Sequence, residues 1–245
     1  MNQAMRYLLA APFLMLSGCA SMPRADEATT EVKDEEGFVS IFDGKTLAGW
    51  EAMPGANSKA WTVEDGIIVG DGAKGLDYLV YENQQIADLE LKLSYRFPGE
   101  GNSGISIRTR EDKTGKRHFQ CYHADLGHVG IGRQVLGAWD FHTPGRREHA
   151  CFRGDRLVID ENDEPTVTSI EGAVTKDDIK AGEWNTVHLT AKGNTFKFFI
   201  NGKPASEFTE HLDKERCLHS GSIQLQLHDP GMVVHFKDIR LKISK

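Results

Sequence analysis

The segment GSIQLQLHD (221–229) alternates Ile223, Leu225 and Leu227 with Gln224, Gln226 and His228. A period of two is a strand with one apolar and one polar face. Polar faces elsewhere in the chain carry charge: Leu89, Leu91, Leu93 and Tyr95 stand against Asp88, Glu90, Lys92 and Arg96. Two amides and an imidazole suit instead a half-dry groove that hydrogen-bonds a neutral polar ligand. In GNSGISIRTR, Ile105 and Ile107 alternate with Ser106 and Arg108. If the isoleucines and leucines of both segments point between two sheets, Arg108, Gln226 and His228 are expected on the opposite side. In FQCYHADLG, His123 and Asp125 share a parity with Phe119 and Cys121, but both faces of that run mix polar and apolar types, so the pattern leaves their side open. Together these residues would offer one groove a guanidinium, two imidazoles, a carboxylate and amides. An imidazole, with an unperturbed pKa of about 6.5, exchanges protons near neutrality, and a fixed cation stabilises a developing oxyanion.

Each member also has a structural reading. Arg108 reads as a surface charge, His123 and His228 as satisfied structural histidines, and Asp125 as a turn former ending its strand. Trp139 and Asp140, in VLGAWD, read as core plus cap or as a sugar-stacking platform with a polar neighbour. His118, His123 and His128 recur every five residues, a spacing that alternates faces on a strand and cannot converge on one ion without an intervening loop. No cofactor is expected, and a divalent cation is left open.

The elements that must position these groups are strands. The chain has 245 residues, 39% hydrophobic and 27% charged, with a net charge of -7, a composition for a folded domain without the basic footprint of a nucleic-acid binder. From Gly37 onward, short β-type runs alternate with turn chemistry: residues 38–42, 61–70, 77–81, 87–97, 104–110, 119–125, 156–160, 184–192, 195–200, 222–228 and 232–243. Asn201-Gly202 is a type I′ hairpin signal. Val234 and Phe236 share a parity that Ile239, Leu241 and Ile243 do not, which predicts a bulge near Lys237-Asp238. Short helical turns are expected at 175–180 and 211–216. Closely spaced strands without an internal linker read as a single all-β, two-sheet sandwich over 37–245.

Before that domain, Arg6 precedes an apolar run, YLLAAPFLMLSG, too short to span a bilayer, and the run ends in LSGCAS. Leu-Ser-Gly-Cys resembles the lipobox of bacterial lipoproteins. That resemblance implies a signal peptide at 1–18, lipidation of Cys19, and an acidic tether at 19–36. Ala20 after the cysteine favours, in the same resemblance, the outer membrane of the bacterial cell envelope, facing the periplasm or the surface. Beyond Cys19, three cysteines, Cys121, Cys151 and Cys217, allow at most one disulfide bridge.

GFVSIFDGKTLAGWEA, WTVEDGIIVG, NSGISIR, YHADLG, GEWNTVHLTAKGNTFKFFING and GSIQLQLHDPGMVVHFKDIRLK occur in this order from Gly37 to Lys245. In that order and spacing they resemble the 3-keto-disaccharide hydrolase domain family. The resemblance implies a concanavalin A-like antiparallel jelly roll with a carbohydrate site on its concave face. It further implies glycosides whose glucose C3 hydroxyl has been oxidised to a ketone by a separate dehydrogenase, cleaved by hydrolysis or elimination. It carries over Asn102, Arg108, His123, Asp125, Gln226 and His228. His123 stands where many relatives have Gln or Glu, and Ala138-Trp139-Asp140-Phe141 stands where many read Leu-Tyr-Asp-Glu. These departures favour the alternative of a non-catalytic carbohydrate-binding module on the same fold.

An ordinary glycosidase needs two carboxylates flanking the bond, and Asp125 is the one the pattern places. A ketone at C3 relaxes that need by acidifying the hydrogen at C2. The expected roles are His123, oriented by Asp125, as base; Arg108 stabilising the enolate oxygen; and His228 protonating the leaving oxygen, with the two histidine roles exchangeable. Asn102, Gln226, Trp139 and Asp140 are expected to contact the sugar.

Overall fold

In the computed structural model, the described residues are 37–244 except 54–58, 84, 133–134 and 144. The expectations for the signal segment, Cys19 and the tether lie outside the described residues. The strands, in chain order, are β1 (Val39–Ser40), β2 (Trp50–Met53), β3 (Trp61–Glu64), β4 (Ile67–Asp71), β5 (Asp77–Tyr81), β6 (Leu89–Arg96), β7 (Asn102–Glu111), β8 (Phe119–Gly127), β9 (Trp139–His142), β10 (Asp155–Ile159), β11 (Pro165–Ser169), β12 (Asn185–Lys192), β13 (Thr195–Ile200), β14 (Lys203–Glu210), β15 (Ser222–Leu227) and β16 (Val233–Ile243). They form two sheets of a jelly-roll sandwich. The larger runs β11-β10-β14-β13-β12-β6-β16-β4-β3, with β1 also on β16; the smaller runs β2-β5-β15-β7-β8-β9. Neighbours pair antiparallel except β10 and β14, which are parallel.

Alternation decides which side chains meet between the sheets. The larger sheet contributes Leu89, Leu91, Leu93 and Tyr95 of β6, Val187 and Leu189 of β12, and Phe196 and Phe198 of β13. The smaller contributes Ile105 and Ile107 of β7, Tyr122, Ala124 and Leu126 of β8, and Ile223, Leu225 and Leu227 of β15. In β16 the register shifts between Lys237 and Arg240, with Asp238 at φ 55°, so Val234 and Phe236 before the bulge and Ile239 and Leu241 after it are all buried. Asn201 and Gly202, at φ 50° and 78°, make the expected turn between β13 and β14.

The run 61–70, read as one strand, is instead the hairpin β3–β4, turning at Asp65 and Gly66 with φ 49° and 78°. The helical expectation holds at 175–180 as a single 3₁₀ turn, Lys176–Asp178, where the Asp178 carboxylate accepts from the Thr175 N–H and hydroxyl at 2.9 Å each. At 211–216 there is a turn only. Cys121, Cys151 and Cys217 are buried free thiols.

Candidate functional site

Cross-strand register settles the side of His123 and Asp125. One row across the smaller sheet reads Tyr78, Gln226, Gly104, Asp125; the next reads Val80, Gln224, Ser106, His123, Asp140. Directly opposed residues on paired strands share a face. Because Leu225, Ile105 and Ala124 point into the sandwich, Gln224, Gln226, His123, Asp125 and Asp140 all point away from it. They converge on a cavity of about 380 Å³, whose walls also include Tyr78, Asn102, His142 and His228. At its edge stand Leu76, Lys116, Arg117, His118 and Phe119.

Gly104 makes room for His123. A Cβ at position 104 would lie 2.1 Å from His123 Nε2 and 2.8 Å from the Ala124 carbonyl oxygen. The imidazole, 2% exposed, therefore lies over the glycine. Its Nδ1 is 2.8 Å from the Ser106 hydroxyl, and its Nε2 is 3.6 Å from Asp125 Oδ1. Its ring stacks on that of His142, with centroids 5.2 Å apart and planes 10° from parallel.

Burial sets the protonation of this group. Loss of water, and then the nearby charge of His142, push His123 down to about 3. Loss of water, and then the charge of Asp140, push Asp125 up to about 8. At neutral pH the carboxyl therefore holds its proton and the imidazole is neutral. His142 goes the other way: burial alone would lower its pKa, but the hydrogen bond from Nε2 to Asp140 Oδ2 at 2.9 Å and contact with Cys121, whose Sγ is 3.5 Å from Nδ1, raise it to about 10. Asp140, which burial alone would raise, is held down at about 2 by its bond to His142. His142 and Asp140 thus form a self-contained ion pair beside a neutral His123.

The other walls are polar and incompletely satisfied. Asn102 Oδ1 and Gln224 Nε2 are buried without a hydrogen-bond partner among the described residues, one an acceptor and one a donor left for a ligand. The Gln226 side chain bonds the Tyr78 hydroxyl, whose pKa burial raises. His228, its side chain 51% exposed, sits at the cavity mouth with Nδ1 2.7 Å from Asp229 Oδ1.

Two of the sequence expectations are corrected. Arg108 does not face the groove. The β7–β8 register shifts between Ile107 and Arg110, and Arg108 takes φ 49°, a bulge that turns its side chain into the interior. There the guanidinium donates to the carbonyls of Ala87, Leu218 and Gly193 at 2.8–3.0 Å, bonds Asp88 Oδ1 at 3.2 Å, and lies over the Phe196 ring. Trp139 is no stacking platform either: it is 2% exposed and packs edge-on against Phe196, Phe198 and Phe208. Its neighbour Asp140, on the opposite face of β9, does reach the cavity.

Of the three evenly spaced histidines, His118 and His123 border the cavity, whereas His128 lies outside it, bonded through Nδ1 to the Gly101 N–H at 3.0 Å. Among the described residues, no group of three or more His, Cys, Asp or Glu side chains is arranged to hold a metal ion.

Sequence reasoning missed His142, Tyr78 and the edge residues Lys116, Arg117 and His118. The four residues of β9, WDFH, alternate Trp139 and Phe141 with Asp140 and His142, a signal present but only two repeats long. Tyr78 hides in DYLVY, whose last four residues show no polar alternation.

A profile of the family described as 3-keto-alpha-glucoside-1,2-lyase-like domain matches residues 37–242. A 3-keto-disaccharide hydrolase of Bacteroides thetaiotaomicron is 32% identical over 86 residues, which are 32% of this chain and 29% of that protein. The chain thus spans less than a third of that curated relative. A glycosyl hydrolase candidate from Parabacteroides distasonis has a similar structure, with TM-score 0.58 and 22% identity over 86% of this chain and 95% of that one. A Bacillus subtilis protein with a galectin-like fold superposes with TM-score 0.51 at 8% identity, covering 88% of this chain and 95% of that one. At these identities the two structures speak for the fold.

Proposed function

The chain belongs to the 3-keto-alpha-glucoside-1,2-lyase-like family, and from that premise we propose that it cleaves the glycosidic bond of 3-keto-glycosides by removing the proton at C2. The observation that carries the reading is the pairing, in one cavity and with Nε2 3.6 Å from Oδ1, of a His123 that burial keeps neutral with an Asp125 that burial makes hold its proton.

His123 takes the C2 proton through Nε2. The C1–O bond breaks as the C1=C2 double bond forms, and Asp125 gives its proton to the departing oxygen. Products are the alcohol and an unsaturated keto-sugar. An imidazolium beside a carboxylate remains, and a proton passed from His123 to Asp125 restores the starting pair. In the hydrolytic outcome, water then adds at C1 and a proton returns to C2. With Arg108 engaged in the interior, the Gln224 side-chain amide, which has no partner among the described residues, is a donor available to the ketone oxygen. Asn102 and Gln226 bind sugar hydroxyls, and His228 meets the substrate at the mouth.

Lipidation at Cys19 and a place in the bacterial envelope belong to the same proposal, supported by the segment Leu16 to Ser21. A separate dehydrogenase would supply the C3 ketone.

The test is incubation of purified protein with a 3-keto-glucoside in buffered heavy water, following aglycone release and deuterium at C2. Exchange and release, both lost in His123→Gln, support the scheme. Saturable glycan binding without exchange or turnover would replace it with the non-catalytic carbohydrate-binding module.

A further inference from the structure

The cavity's charge departs from that of the protein around it. The whole chain carries -7, yet the charges on the cavity walls do not sum to a negative value. Asp140 is cancelled by His142 at 2.9 Å, and Asp125 is a neutral acid at pH 7. What remains is basic: Lys116 and Arg117, side by side on the turn between β7 and β8. Arg117 bonds Glu148 at 3.1 Å, but both side chains are at least 40% exposed, where such a pair is weak and readily exchanged.

This basic edge is a built feature. The Asp112 carboxylate accepts from the Thr114 N–H and hydroxyl, the Arg117 N–H and the Gln120 side-chain amide at 2.8–3.2 Å, fixing the turn. Phe119, which follows it, packs edge-on against Tyr78 of β5 with centroids 5.2 Å apart, so the turn leans across the sheet toward the cavity. The charge of Arg117 is felt by His123, Asp140 and Tyr78 alike.

Resting on the reading above, we propose that the substrate is an acidic glycoside, whose leaving group carries a carboxylate, sulfate or phosphate that meets Lys116 and Arg117. The reacting carbons must lie at the buried His123–Asp125 pair. The exposed basic edge is then left for the part of the molecule that departs, and an anion there gains from both cations.

Two 3-keto-glucosides matched in shape test this, one of 4-hydroxybenzoate and one of 4-hydroxybenzamide. The acid is expected to show a kcat/KM at least tenfold above the amide at low salt, mostly through KM. That ratio should shrink as ionic strength rises and collapse toward one in the double variant Lys116→Gln/Arg117→Gln. A ratio near one in the parent protein, insensitive to salt, overturns the inference while leaving the cleavage reading intact. If neither compound is cleaved, calorimetry with the two unoxidised glucosides decides. Salt-sensitive binding of the acid over the amide, lost in the double variant, upholds the anion subsite although the cleavage reading falls; equal or absent binding of both removes it.

Discussion

Asp125 holds at neutral pH a proton that water would remove, beside a His123 that burial keeps neutral, and the rate of C2 chemistry should report both. Productive encounters need Asp125 protonated and His123 neutral. With the carboxyl at about 8 and the imidazole at about 3, both conditions hold between those values. The expected kcat/KM profile is therefore flat through neutrality and falls about tenfold per pH unit above about 8, as Asp125 loses its proton. Asp125→Asn keeps the shape but has no proton to give. It should lose roughly 10²–10⁴ in rate on a glycoside with a poor leaving group, and far less on one whose leaving group departs unprotonated. An equal loss on both substrates would reduce Asp125 to a structural role. The sequence made both residues legible as candidates by type. Their opposed protonation was not legible, because it comes from the depth at which β7, β8 and β9 close around them.

At the scale of elements, the β7–β8 hairpin does two jobs through two residues. Gly104 gives His123 its place, and a Cβ there collides with both the imidazole and a backbone oxygen. Gly104→Ala should cost about 1–3 kcal/mol of stability and, by displacing the ring, most of the activity. A Gly104→Ala protein with wild-type kcat/KM would mean that His123 is not the base. Four residues on, the bulge at Arg108 turns a basic side chain into the interior, where it satisfies three carbonyls and Asp88. Arg108→Ala strands those acceptors, and unfolding by denaturant should show a loss of about 3 kcal/mol, with kcat/KM near normal in the folded protein. Loss of turnover without loss of stability would restore Arg108 to the catalytic chemistry. Alternation named Arg108 a groove residue because a period of two is read as continuous; one inserted residue reverses the face of all that follows. The comparable bulge in β16 was legible because apolar residues lie on both sides of it. After Arg108 the residues are Thr109, Arg110 and Glu111, which carry no parity signal. Of the strands left unread, β2, β9 and β11 are sheet edges, where half-solvated faces blur the pattern, whereas β14, inside the larger sheet, was signalled only by the hairpin turn before it.

Across the whole molecule, the two sheets are joined by more than apolar packing. Tyr122 of β8 donates its hydroxyl to Glu210 at the end of β14, and Glu210 Oε2 pairs with Arg146 Nη1 at 2.8 Å, both side chains at most 3% exposed. Around them Phe141 and Tyr122 of the smaller sheet meet Phe196 and Phe208 of the larger. Arg146 Nη1 also reaches the Arg216 carbonyl, whereas its Nε and Nη2 are buried without partners among the described residues. The guanidinium thus depends on Glu210 for its countercharge. Glu210→Gln preserves shape but leaves a buried cation uncompensated, which costs about 3–5 kcal/mol. At roughly 2–4 °C per kcal/mol for a domain of this size, Tm should fall by about 10 °C. Tyr122→Phe removes two hydrogen bonds, one donated to a Glu210 oxygen and one accepted from the Leu218 N–H, so an intermediate loss of about 1–3 kcal/mol is expected. Because this cluster lies on the core face of β8, opposite the cavity, Glu210→Gln should retain cleavage at temperatures where it stays folded. A Glu210→Gln protein that melts within a degree or two of the parent would mean that the aromatic contacts alone hold the sheets together.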